Sequence, residues 1–189
     1  AIKDRMYCDG KDWESRRSAQ AACHYVLLAL AKLLTPLLPH TAEEVYSRIP
    51  AIQRLESVHC EVLPPPSPER LAAIEASDLQ SKFAWLLEQR AAVFASFESW
   101  KAESGVKDSQ DVIATIVDRA PNLQQLQSFG EDLPNLFKMS WIEFQEGAPE
   151  VTFRPSEYPK CERSRLRRPD VEEADGMMLT ARDRRVLGF

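Results

Sequence analysis

Between Pro64 and Pro68 four of the five positions are proline, within the segment "VLPPPSPER" (Val62–Arg70). Proline fixes φ and offers no backbone N–H, so this run cannot enter a helix interior or a central strand, and it stays extended and solvated. It divides the chain into two parts, and we place a linker at residues 63–70. With 189 residues the chain has room for one domain of ordinary size plus small appendages, and for a real core.

Ahead of the prolines, "ESRRSAQAACHYVLLALAKLL" carries apolar residues at Ala19, Ala22, Cys23, Val26, Leu27, Leu30, Leu33 and Leu34. This i, i+3, i+4, i+7 series predicts a long amphipathic helix with that stripe as its buried face. Pro36 and Pro39 end it. A second helix is expected to start at "HTAEEVYSRI", capped by Thr41, with Glu44 completing a capping box. Two helices joined by a proline elbow predict packing in a bundle.

Beyond the prolines, "DLQSKFAWLLEQRAAVFASFESWKAES" has Phe83, Leu86, Leu87, Val93, Phe94 and Phe97 at helical spacing, and Gly105 supplies a stop. The β-branched "DVIATIVD" reads as a strand, "APNLQQLQSFGEDLPNLF" as one helix, and "SWIEFQE" and "EVTFRPS" as two further strands. The order helix, strand, helix, strand, strand predicts a small α/β unit. The fold class is therefore mainly α with a small α/β part.

Composition excludes several function classes. A chain 44% hydrophobic and 28% charged is globular rather than disordered. No run approaches the roughly 18 apolar residues of a membrane helix, and the opening "AIKDRMYCDGKDWESRRSAQ" is too charged for a signal peptide. Cys8, Cys23, Cys60 and Cys161 are widely spaced, which predicts free thiols and a cytoplasmic protein without a membrane partner. The chain lacks an initiator Met, which suggests a piece of something longer.

Residues 1–50 hold seven Lys and Arg against six Asp and Glu, and residues 156–189 hold eight against seven, so the net charge of −5 is concentrated in the middle. Overall charge thus does not announce a nucleic-acid binder, although local clusters do offer phosphate contacts. These are Lys3 and Arg5, then Arg16 and Arg17, then Arg163, Arg165, Arg167 and Arg168. Each taken singly reads as a solvated charge. The three histidines are isolated from one another in sequence, and His59, Cys60 and Cys161 are too far apart to read as a metal site. No spacing supports a nucleophile–base pair, so no catalytic residue is assigned.

The stretch "IKDRMYCDGKDWESRRSAQAACHYVLLALAKLLTPLLPHTAEEVY" resembles the anticodon-binding helical domain of bacterial isoleucyl-tRNA synthetases, where a "KDRLYC" segment leads through "RR-AQ" into a long helix and a "L-P-LPHTAEE" elbow. "WLLEQRAAVFASFESWKAESGVKDSQDVIATI" and "GEDLPNLFKMSWIEF" are similar to the stretches that follow in that class I family. "KCERS" and "LTARDRRVL" resemble its terminal zinc module, typically "KCERCW" and "LCARC--VL". The organisation implied is the C-terminal part of a helical anticodon-binding domain at 1–62, the linker, a small α/β domain at 71–156 and a degenerate zinc-finger-like tail at 157–189.

In the family, four cysteines would hold a structural zinc. Here Cys161 keeps its place while Ser164, Thr180 and Asp183 stand at the other three, so the resemblance implies an irregular, zinc-ribbon-like tail that binds no zinc. Arg163 occupies the family's Arg between the first two ligand positions, and Arg165 stands where the family has Trp. The function implied is tRNA binding, at the anticodon stem-loop of tRNA(Ile), within an enzyme that uses ATP to attach isoleucine. RNA contacts are expected from Lys3, Arg5, Arg16, Arg17, Arg163 and Arg165, with the parent's catalytic domain as the other partner and the chain monomeric. The HIGH motif, the KMSKS loop and the editing domain have no counterpart here. "KMSW" (Lys138–Trp141) shares three letters with that loop, in a chain with no phosphate-binding pattern, and reads as coincidence. Two other readings stay open: a free-standing RNA-binding paralogue, and a protein-interaction scaffold that has lost RNA binding.

Overall fold

The computed structural model describes residues 2–50, 55–63 and 65–189. A short helix α1 (Ile2–Cys8) meets the long helix α2 (Glu14–Leu34) at a turn closed by Trp13 N–H donating to the Gly10 carbonyl at 3.1 Å. The Trp13 indole lies directly over Gly10, where an added Cβ would come within 2.6 Å of the ring, so only glycine fits beneath it.

Helix α3 (Pro39–Arg48) starts with proline in its first turn, after Leu38. Proline's fixed φ and missing N–H suit that position, and the helix therefore begins ahead of Thr41. The predicted capping box is not formed: Thr41 and Glu44 lie inside α3, and no side chain caps its N-terminus. Ala42 and Tyr46 of α3 pack with Val58, and Leu28 of α2 leans on them. The start of the proline-rich segment is held by Glu61, whose carboxylate takes Lys32 Nζ at 2.8 Å and the Tyr46 hydroxyl. The hydrogen bonds from Lys32 and Tyr46 hold that carboxyl below its ordinary range.

The face that α2 turns inward differs from the predicted one. Among the expected stripe residues only Ala19 is buried, while Val26, Leu27, Leu30, Leu33 and Leu34 are all exposed. Leu28 meets the α3 cluster and Lys32 meets Glu61 instead, with Ala31 buried between them in sequence. At about 100° per residue these sit nearly opposite the leucine stripe.

The expected linker is shorter than residues 63–70, because α4 (Pro68–Ala76) takes in its last three positions. Ser67 caps that helix by accepting from Arg70 N–H at 3.3 Å, and Pro68 occupies its first turn. The Arg70 guanidinium stands 4.3 Å from the Tyr25 ring centroid and ties α4 to α2. Helix α5 (Leu79–Ser104) ends as expected at Gly105, whose φ of +73° makes a left-handed cap.

The main core lies between α5 and a three-stranded sheet. Strand β1 (Val112–Asp118) is central, with β2 (Trp141–Glu146) parallel on one side and β3 (Glu150–Pro155) antiparallel on the other. Parallel pairing of β1 with β2 requires a crossover, and α6 (Ala120–Gln127) and α7 (Leu133–Leu136) provide it. One helix was expected there. Gly130 at φ +57° breaks it, and Pro134 sits in the first turn of α7, where its missing donor costs nothing. Val112, Ala114 and Ile116 alternate along β1 and meet Leu86, Val93 and Phe97 of α5, with Leu123, Leu126, Leu133, Phe137 and Met139 closing the sides. The segment Lys138–Trp141 belongs to this packing: Met139 and Ser140 are buried, and Ser140 N–H donates to Val112 at 2.8 Å.

The tail was expected to be irregular, and regular elements occupy its second half. Strands β4 (Glu172–Ala174) and β5 (Met177–Leu179) form an antiparallel hairpin, and helix α8 (Ala181–Leu187) follows. Asp175 and Gly176 link the strands with φ of +50° and +76°, the signs of a two-residue type I′ turn. Cys161, Val171 and Leu179 form its small core.

Two substitutions separate the two kinds of apolar residue. Phe97→Ala, which removes a ring packed on Phe94, Trp100 and Phe153, is expected to cost about 3–5 kcal/mol of unfolding free energy. Leu30→Gln on the exposed side of α2 should stay within about 0.5 kcal/mol. Urea unfolding of the two purified variants checks both values.

Candidate nucleic-acid interface and the tail cluster

The four positions that correspond to the family's zinc ligands converge. Asp183 is wholly buried, and its Oδ2 accepts from the Cys161 thiol at 3.0 Å and from the Thr180 hydroxyl at 2.9 Å. Its Oδ1 accepts from the Arg163 guanidinium. The Thr180 hydroxyl also caps α8 by accepting from Asp183 N–H at 3.2 Å. Burial alone would raise the Asp183 pKa, but the bonds from Cys161, Thr180 and Arg163 outweigh it and leave the carboxyl below its ordinary value. Ser164 Oγ lies close enough to add to that lowering yet makes no hydrogen bond of ordinary geometry. A depressed carboxyl contributes stability that is complete above its unfolded pKa and is lost as pH falls through the folded one.

This donor set does not fit a tetrahedral zinc. Only one thiol is present, two positions are hydroxyls, and the single carboxylate has both oxygens committed to donors. Two ligands bridged by zinc would stand roughly 3.5 Å apart, whereas Cys161 Sγ and Asp183 Oδ2 are 3.0 Å apart, a hydrogen-bond distance that needs the proton on sulfur. A guanidinium already bonded to the carboxylate would also repel a second cation.

Arg163 reaches past the cluster to the end of α1, donating to the Cys8 carbonyl at 2.6 Å and the Tyr7 carbonyl at 3.3 Å. Arg182 lies alongside, paired with Asp4 and, at 3.4 Å, with Asp9 Oδ1. Burial works against the Arg182 charge, but the bonds and charge of Asp4 overcome it and hold the guanidinium firmly protonated. Arg168, only 7% exposed, donates to the Met139 and Ser140 carbonyls and to Asn135. Burial pulls its pKa down to about 10, which still leaves it charged at neutral pH. These arginines seam the tail to α1 and to the sheet.

The expected RNA-contacting residues therefore separate into two groups. Arg5 pairs with Asp132, Arg16 donates to the Asp9 carbonyl at 2.9 Å, and Arg163 is taken up as described, so these three are tied into the fold. Lys3, Arg17 and Arg165 are exposed. Arg167 pairs with Asp111 at 2.8 Å. Sequence reasoning missed Tyr7, which is 73% exposed on the same face of α1 as Lys3, one turn away. It also missed an open cleft of about 700 Å³ between α1, α7 and the tail, lined by Trp13, Trp141, Arg5, Arg182 and Arg185 among others. Arg185 stands 4.9 Å from the Trp13 ring centroid there. The cleft had no local signal in the sequence, because it arises from how the tail docks.

The model of the family described as "Anticodon-binding domain of tRNA ligase" matches residues 1–117. The chain is 34% identical, over 160 residues and 85% of its length, to the isoleucine–tRNA ligase of Bacillus cereus (strain G9842). The same figures hold for that of Bacillus anthracis (strain A0248) and for isoleucine–tRNA ligase 1 of Bacillus thuringiensis subsp. konkukian (strain 97-27). The chain spans 16% of the length of each of these relatives.

The four thiols should differ sharply in reactivity. Cys23 and Cys60 are exposed, whereas Cys8 and Cys161 are buried. Burial, with help from the Asp4 charge, pushes the Cys8 thiol up to about 11. Iodoacetamide on the native chain is expected to modify Cys23 and Cys60 at pH 8 and to reach Cys8 and Cys161 only after denaturation, as read by peptide mass spectrometry.

Proposed function

The chain belongs to the anticodon-binding domain family of tRNA ligases, and from that premise we propose that it is the tRNA-contacting C-terminal region of an isoleucyl-tRNA synthetase. Its ligand is the anticodon stem-loop of tRNA(Ile). It works in the cytoplasm, in a monomeric enzyme. Activation of isoleucine with ATP, and its transfer to tRNA, belong to the catalytic domain of the parent enzyme, to which this region contributes binding and not chemistry. The observation that carries the reading is the family match across α1 to β1.

The physics of RNA recognition says which part of that surface to look at. Loops are read through unstacked bases laid on aromatic rings, with cations on the flanking phosphates. Tyr7 is an exposed ring beside exposed Lys3, and Arg17 and Arg165 are exposed cations. Arg5, Arg16 and Arg163 act indirectly, by fixing the elements that present those groups.

The test is binding of the purified chain to tRNA(Ile), and to the same tRNA with an altered anticodon, across a salt series. Anticodon-dependent binding that weakens with salt is expected. Tyr7→Ala should weaken it about 10-fold at fixed salt, and Lys3→Ala or Arg17→Ala should each reduce the salt slope by about one. Equal binding to both tRNAs, or none, would overturn the reading in favour of a scaffold that has lost RNA recognition.

A further inference from the structure

We infer that the Asp183 cluster is a metal-free clasp, in which the Arg163 guanidinium supplies the positive charge of a structural cation and at the same time fastens the tail to the C-terminal end of α1. A buried carboxylate is tolerated only when donors surround it. Asp183 has three: the Cys161 thiol, the Thr180 hydroxyl and Arg163. Cys161 and Arg163 come from the turn after Lys160 and Thr180 from the α8 cap, so the carboxylate ties two separate pieces of the tail together as a cross-linking centre does.

Arg163 adds what a bare ion cannot. Its planar fork has donors left over after the carboxylate is met, and these reach the Tyr7 and Cys8 carbonyls. Those carbonyls end a helix and lack intrahelical partners, so they attract both hydrogen-bond donors and positive charge. The acidic groups that face this seam are Asp4, Asp9 and Asp183, and the cations are Arg163 and Arg182, with Arg16 held on the Asp9 carbonyl. Removal of Arg163 therefore loosens two places at once: the interior of the tail and its attachment to α1. The inference concerns the fold of the tail and stands apart from RNA binding.

The experiment uses the full chain and has two arms. In the first, metal content is measured by elemental analysis, and thermal unfolding is followed with and without EDTA. Zinc well below one ion per chain and a midpoint unmoved by the chelator are expected; one zinc per chain whose removal lowers the midpoint would overturn the inference. In the second arm, Asp183→Asn and Arg163→Met are each expected to lower the midpoint by roughly 5–10 °C. The double variant should fall by clearly less than their sum, because each single change strands the other partner. Amide hydrogen exchange should show lost protection both in α8 and at the end of α1. Thr180→Val, a milder change, should reduce protection at α8 even if Asp183→Asn does not fold. Additive midpoint changes, or loss of protection in the tail with α1 untouched, would sink the clasp.

Discussion

The packing of α5 against the three-stranded sheet is the contact on which the rest of this molecule depends. It forms the largest apolar core of the chain, with Phe97 against Phe153 and Val93 and Leu86 over the strand face. The helical part and the tail have only small apolar clusters of their own, built around Tyr46 and Cys161 respectively. What these smaller units lack in buried area they make up in polar joints. Glu61 holds α2, α3 and the start of the linker together, and Arg163 and Arg182 hold the tail to α1. Arrangements of that kind are directional, so they set the relative placement of the units more sharply than a greasy contact would.

Much of the fold was legible because its signals are local. The span of α5 and its glycine stop, the three strands of the sheet and the helix–elbow–helix start follow from periodicity and from proline and glycine chemistry. The failures have equally physical causes. Periodicity found the most apolar face of α2 but could not say which face α3 would choose, and α3 docks on Leu28, on the other side. Ser67 and Pro68 form a helix-start signal that was hidden inside a proline run. Asp175-Gly176 is a hairpin signal, but the strands it joins are only three residues each and carry too little alternation to stand out.

The candidate site shows the same division. Cys161, Ser164, Thr180 and Asp183 are marked in the sequence only as the family's ligand positions, and the fold gathers them in the tail. That Asp183 would sit at the centre and Arg163 would turn inward could not be read from spacing, since it depends on α1 arriving from the opposite end of the chain. Arg163 and Arg165 look alike in sequence, yet one is bonded to Asp183 and α1 and the other is exposed. Charge runs specify how many cations are present, and only packing decides which of them face solvent.

The pairing of Arg182 with Asp4 joins residues separated by 178 positions. Closing so large a loop costs conformational entropy that grows only as the logarithm of its length, so the seam is affordable once the intervening units have folded and drawn the ends near each other. During synthesis from the N-terminus, however, α1 emerges long before its partners. Its acidic pair Asp4 and Asp9 and the carbonyls of Tyr7 and Cys8 must wait in water until Arg163 and Arg182 follow. Helix α1 thus precedes the tail in synthesis yet is fastened only once Arg163 and Arg182 have emerged.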